Sequence, residues 1–240
     1  EEELVHRLSE AVDIRMVAEV PLGAFLSGGV DSSAIVALMS KLQDDPVNTC
    51  SIGFDVKQYD ETDYAEQVAR QYGTNHRVNI VGSDDFDLLD SLAAMYDEPF
   101  ADSSAIPTYR VCQAARENVT VALSGDGGDE LFAGYRRHRW HMNEEKFRSA
   151  LPYGLRSRVF GLAGAIYPKM DWAPKFLRAK STLQALAMDS LEAYLSTVSV
   201  STADQRGRLY SADLQKKLQG YRAVENFRHH ASRAPADDPL

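Results

Sequence analysis

The sequence predicts an α/β domain, a parallel sheet flanked by helices, continued by an all-helical region. Three observations predict it. Short apolar runs alternate with helical patterns of ten or more residues through roughly the first 140 positions, the signature of βαβ units. Two glycine-rich segments, 27–33 and 124–130, each follow a strand-like run and precede a helical pattern. From about residue 143 onward no strand pattern stands out. Ligands of parallel sheets bind at the carboxyl ends of strands, and both glycine-rich segments fall at that edge.

Residues 3–17 read as an amphipathic helix, with Leu4, Val5, Leu8, Val12 and Met16 at helical spacing. Val20 to Leu26 is a short strand, with Pro21 placed at its start, where a missing N–H is tolerated. Ser33 to Leu42 is helical, Val47 to Phe54 a second strand, and Asp60 to Tyr72 a helix with acidic residues in its first turn. Asn75 to Val81 is a third strand, and 84–96 a further helix. After a polar loop at 97–103, Ser104 to Glu117 is helical, with Pro107 in its first turn. Val119 to Leu123 is the fourth strand. In the second half Leu183 to Leu195 and Ala212 to Phe227 are the clearest helices, which places a domain boundary at 142/143.

Composition narrows the function. The 240 residues are 44% hydrophobic and 25% charged, ordinary for a globular protein with a sizeable core. A net charge of −9 repels a phosphate backbone and argues against broad nucleic-acid binding. No apolar run approaches the roughly 18–20 residues that span a bilayer, and no signal peptide is evident. Cys50 and Cys112 form neither a disulfide framework nor a CxxC pair, which suits a reducing, cytoplasmic setting. The chain opens on Glu1 without Met and closes on a Pro- and Asp-rich stretch, so an excised domain truncated at its C-terminus is expected.

The first loop, Ser27-Gly28-Gly29-Val30-Asp31-Ser32-Ser33, has the chemistry of a phosphate cradle. Glycines let the backbone approach closely, and a helix start supplies orphan N–H donors and partial positive charge. A carboxylate at Asp31 repels phosphate unless a cation lies between them, which points to Mg²⁺. The simpler alternative is a Ser/Asp helix cap beside a glycine turn. Neither GxGxxG nor GxxxxGK[ST] is present. The loop matches SGGxDS, the pyrophosphate-binding loop of the N-type ATP pyrophosphatases.

The second loop, Ser124-Gly125-Asp126-Gly127-Gly128-Asp129-Glu130, runs on to Ala133-Gly134-Tyr135 and lacks EF-hand spacing. With the first loop, it resembles the SGEGSDE–GGY region of glutamine-hydrolysing, class B asparagine synthetases. Asp97-Glu98-Pro99-Phe100 through Ser103-Ser104 to Pro107 resembles the same family, as does Ser51-Ile52-Gly53-Phe54-Asp55 followed by Tyr59-Asp60-Glu61. The match runs in order over roughly residues 5–140.

The resemblance implies an adenine nucleotide alpha hydrolase-like fold, with 1–142 as the ATP pyrophosphatase core and 143–240 as a helical extension. It implies a synthetase that adenylates the aspartate side chain with ATP and Mg²⁺. Ammonia, released from glutamine by an N-terminal glutaminase domain absent from this chain, then displaces AMP. Carried over by motif, Ser27, Gly28, Gly29, Asp31 and Ser32 hold the leaving pyrophosphate. Asp31 and Asp129 are the Mg²⁺ carboxylates, and Asp126 and Asp129 the catalytic acidic pair. Backbone groups near Phe25, Leu26, Ile52, Ser124 and Gly125 hold the adenosine portion. The family leaves a homodimer open, and implies neither nucleic acid nor membrane as partner.

The sequence departs from the family at Asp126, where asparagine synthetases carry Glu, and at Gly128, where they carry Ser. No stretch matches the family's catalytic lysine; Lys169, Lys175 and Lys180 read as solvated. The segment alone is thus expected to bind ATP yet turn over poorly or not at all. Other amidations, NAD synthesis, tRNA thiolation and a non-catalytic nucleotide sensor are the rivals. Among remaining features, Arg136 to His141 reads as a solvated helix face, His229-His230 as exposed and Cys112 as a core thiol. His138 and His141 have metal-ligand spacing but no evident third ligand. Asp102, Ser103 and Ser104 fall in a loop that the family places near the amino-acid substrate.

Overall fold

The computed structural model describes residues 1–54, 60–81, 85–98, 100, 102–170, 172–174 and 178–234. Asp55, Tyr59, Pro99 and Lys175 lie outside the described residues, as does the tail from 235. The chain forms two compact units, Glu1–Gly128 and Asp129–Leu240. The helix Arg136–Ala150, which spans the 142/143 position, packs on helices of the second unit.

In the first unit, α1 (Glu2–Met16) leads to β1 (Leu22–Phe25), α2 (Val30–Leu42), β2 (Asn48–Phe54), α3 (Thr62–Tyr72) and β3 (Asn75–Val81). A 3₁₀ turn (Asp85–Leu88), α4 (Leu89–Met95), α5 (Ala105–Arg116) and β4 (Val121–Leu123) complete it. All pairings are parallel and the strand order is β3-β2-β1-β4. Chain direction across the sheet thus reverses at β1. Right-handed crossovers then require α2 and α3 on one face and α5 on the other. Side-chain alternation agrees: Ala24 and Leu26 join a core with Val36, Met39, Ala65 and Ala69, whereas Phe25 packs with Cys50, Ala114 and Val119.

Most elements fall where the sequence places them, with instructive exceptions. Helix α2 starts at Val30 rather than Ser33, with Gly29 as its cap and Ser33 N–H donating to Gly29 O at 3.0 Å. Asp31 and Ser32 are therefore in its first turn. Cys112 is exposed, contrary to expectation, because α5 turns Ala114 and Ala115 inward.

In the second unit every described element is helical: α6 (Gly128–Leu131, begun on the last residue of the first unit), α7 (Arg136–Ala150), α8 (Tyr153–Ile166), α9 (Lys180–Ala187), α10 (Ser190–Val198), α11 (Ala203–Leu209), α12 (Ala212–Leu218) and α13 (Val224–Ala231). The two long helices expected here are each broken. Asp189 ends the first break by accepting the Glu192 N–H at 2.8 Å as N-cap of α10. Left-handed Gln219 and Gly220, at φ 51° and 83°, end α12 before α13 begins.

Helix α7 presents Arg136, Arg139 and Trp140 to solvent, as its composition suggests, but not its histidines. His138 and His141 are buried, bonded through Nε2 to Tyr194 Oη and Ser190 Oγ, each at 3.1 Å. Arg148 and Glu144 form a buried ion pair at 2.7 Å, and Arg148 also donates to Ala185 O. No group of three metal-ligating side chains exists among the described residues. His229 and His230 are exposed as expected. Lys180 is half-buried and donates to Tyr167 O at 2.9 Å, so it is not simply solvated.

Burial pushes the imidazoles of His141 and His76 below the usual histidine range; Arg148 adds to the effect at His141. Their folded forms hold a proton less readily than the unfolded chain, whose histidines titrate near about 6.5. Stability is therefore unaffected above roughly pH 7 and falls as pH drops below about 6.5. Thermal melts between pH 8 and 5 should show this decline, and His141→Gln should shallow it. An identical slope in that variant would remove His141 from the account.

Candidate active site

The reversal of strand order makes a crevice between the carboxyl ends of β1 and β4, the position where open α/β sheets hold ligands. Both glycine-rich loops leave from there. The first turns directly from β1 into α2, and its shape is set by hydroxyls. Ser32 Oγ accepts from Ser27 N at 3.2 Å, lies 3.0 Å from Ser27 Oγ and donates to Gly29 O at 3.2 Å. Gly29 N donates to Ser27 Oγ. Gly29 caps α2 without a side-chain hydrogen bond, so that helix start carries no built-in anion substitute.

The loops meet backbone to backbone. A Cβ on Gly125 would stand 2.5 Å from Ser32 N and 2.7 Å from Asp31 C. A Cβ on Gly128 would stand 2.5 Å from the Asp31 carboxyl carbon. Gly28, at φ +78°, serves a different purpose, because it abuts Tyr64 and Ala65 at the start of α3. Glycine at 125 and 128 thus lets the second loop lie on the first and leaves room for the Asp31 carboxylate.

One cavity of about 370 Å³ opens on these loops. Phe25, Leu26, Ser27, Gly29, Asp31 and Ser32 line it from the first loop and its strand. Ile52 lines it from β2, and Ser124, Gly125 and Asp126 from the second loop. Of the residues expected from motif, Gly28 is not in its lining. Asp129 belongs to the second unit, where Gly134 donates its N–H to Asp129 O at 3.0 Å and its missing side chain leaves space for the Asp129 carboxylate.

Sequence reasoning missed several lining residues, among them Ser51, Phe54, Glu61, Thr62, Thr108 and Val111. They come from β2, α3 and α5, and carry no glycine-rich signature. Ser51 Oγ donates to Leu26 O, fixing the backbone just before the first loop. His76 stands behind Ser51, with its other nitrogen 2.9 Å from Thr49 Oγ1. Asp102 accepts from Ser104 N at 2.8 Å, and this bond holds its carboxyl below the usual range. Tyr135 donates to Glu130 at 2.5 Å, lowering the Glu130 carboxyl and raising the phenol.

The asparagine synthase family model matches residues 3–235, nearly the whole chain. The chain belongs to the asparagine synthase family. It is 50% identical over 133 residues to a putative glutamine-hydrolysing asparagine synthetase 2 of Methanocaldococcus jannaschii, covering 55% of this chain and 26% of that protein. It is 34% identical over 189 residues to glutamine-hydrolysing asparagine synthetase 1 of Bacillus subtilis, covering 77% and 28%. The chain thus spans less than a third of the length of these relatives. An amidase chyE of Penicillium rubens is 29% identical over 163 residues, covering 58% and 24%. This asparagine-synthetase-type domain holds, at its switch point, the two loops that carry the family motifs. No described helix is long and apolar enough to cross a membrane.

Proposed function

We propose that this chain is the ATP-dependent synthetase portion of a glutamine-hydrolysing asparagine synthetase. A carboxylate oxygen of aspartate attacks the α-phosphorus of ATP, the α–β bridging P–O bond breaks, and pyrophosphate leaves. The nitrogen of ammonia, derived from glutamine, then attacks the acyl carbon, AMP departs with the acyl C–O electron pair, and the nitrogen releases one proton to solvent to leave asparagine. The observation that carries this reading is the cavity into which both glycine-rich loops open.

Negative charge grows on the leaving pyrophosphate during the first step. Fixed amides at the start of α2 suit that charge better than they suit bound ATP, and the hydroxyls of Ser27 and Ser32, bonded within the loop, hold the shape that presents them. The substrate carboxylate is already ionised at neutral pH, so no base is needed and positioning dominates. Hard oxygen donors fit Mg²⁺, and Asp31, given room by Gly128, supplies one, with Asp129 as the second carboxylate of the scheme. Bound there, Mg²⁺ would offset charge on the phosphate oxygens. Asp126, one methylene shorter than the family's Glu, lines the cavity and bears on which carboxylate is accepted. A reducing, cytoplasmic setting completes the proposal.

The test uses the intact protein with ATP, Mg²⁺, ammonium and a panel of carboxylates, following AMP and pyrophosphate. Aspartate-dependent release with asparagine formed is the expected result. Release with another carboxylate keeps the chemistry and replaces the substrate. ATP binding without release for any carboxylate turns the reading to a nucleotide sensor.

A further inference from the structure

A bound nucleoside triphosphate needs a partner for its middle as well as for its two ends. Both loops contribute to the lining of the cavity of the first unit, and Ile52, Phe54 and Val111 give it apolar wall. The first turn of α3 stands between the first loop and the end of β2. Gly28 of the loop abuts this turn, since a Cβ there would lie 2.6 Å from Ala65 N. Gly53 of β2 also abuts it, since a Cβ there would lie 3.0 Å from Thr62 Cγ2 and 3.2 Å from Asp60 Oδ1.

Two carboxylates flank this turn, and their commitments differ. Asp60 Oδ1 accepts from Thr62 N at 3.2 Å and so serves the helix start. Glu61 lines the cavity, and its side chain has no hydrogen bond or ion pair among the described residues. A carboxylate facing a triphosphate site cannot take a phosphate directly. It can accept from hydroxyls, and the vicinal hydroxyls of a ribose are the donors that a nucleotide carries between phosphate and base.

We infer that Glu61 accepts hydrogen bonds from the ribose hydroxyls of ATP and so makes this site select ribonucleotides over deoxyribonucleotides. The assignment rests on the nucleotide reading proposed above and adds a specificity-determining residue to it.

Calorimetric titration of the intact protein with ATP, 2′-deoxy-ATP and 3′-deoxy-ATP in Mg²⁺ tests it. A hydrogen bond to a charged acceptor predicts that wild type binds ATP roughly 10- to 100-fold more tightly than at least one deoxy analogue. In Glu61→Ala that ratio should collapse to about one, with Glu61→Gln between the two. A loss of helix stability alone would weaken all three nucleotides together and leave the ratio unchanged. A Glu61→Ala protein that retains the wild-type ratio therefore overturns the assignment while leaving ATP binding in place. So does a wild type that binds all three equally. A folded wild type that binds none of them overturns the nucleotide reading itself, and the assignment with it.

Discussion

Replacing Gly125 by alanine is expected to lower AMP and pyrophosphate formation by about 100-fold or more. The added Cβ would fall 2.5 Å from Ser32 N and 2.7 Å from Asp31 C, both backbone atoms that cannot swing aside. The second loop must lift from the first, and displacement of reacting groups by about 1 Å is enough for a loss of that order. Gly128→Ala provides the contrast. Its Cβ would meet the Asp31 carboxylate at 2.5–2.9 Å, and a side chain can rotate where a backbone cannot. That variant should keep its fold and bind ATP, but need more Mg²⁺ for half-maximal turnover. Full activity in Gly125→Ala would show that the loops need not touch, and an unchanged Mg²⁺ requirement in Gly128→Ala would remove Asp31 from the proposed metal site.

Arg148→Met should destabilise the second unit by about 3–5 kcal/mol, the cost of leaving a buried charge without its partner. The Arg148 side chain is 1% exposed and that of Glu144 is 7%, so solvent screens this pair little. Glu144 would keep only Trp140 Nε1, which donates to Oε1 at 2.9 Å. Arg148→Met combined with Glu144→Gln removes both charges and retains an acceptor for Trp140. The double variant should recover most of the loss, because an apolar or neutral replacement of a buried pair is often close to neutral. Urea unfolding of the three proteins gives the coupling directly. Additive losses in the double variant would mean that Arg148 acts through its bonds to Ala185 O and Glu145 Oε2 rather than through Glu144.

The chemistry of the candidate site was legible in sequence because it depends on local backbone freedom. Glycines beside serines and an aspartate at a strand-to-helix junction restrict what a segment can do, whatever surrounds it. Ser51 and Glu61 lie in stretches that resemble the family, but nothing in those stretches singles them out, or Thr108, as lining a site. A lone serine, glutamate or threonine is as common on a solvated surface, and only the meeting of β2, α3 and α5 brings these three to one cavity. The helical half was harder still. Periodicity alone runs on through Asp189 and through Gln219-Gly220, whereas a capping bond and two left-handed residues stop the helices there.

By itself the sequence determined the alternation of strands and helices, the two loops and the family to which they belong. These follow from patterns within a few residues of each other. The tertiary structure decided which side of β1 the fourth strand would take, and with it the crevice where the loops meet. It also buried His138, His141, Glu144 and Arg148 on a helix whose composition reads as solvated. Both outcomes depend on what a segment packs against. A polar side chain is stable in the interior when distant residues satisfy it, and no local pattern records where those residues lie.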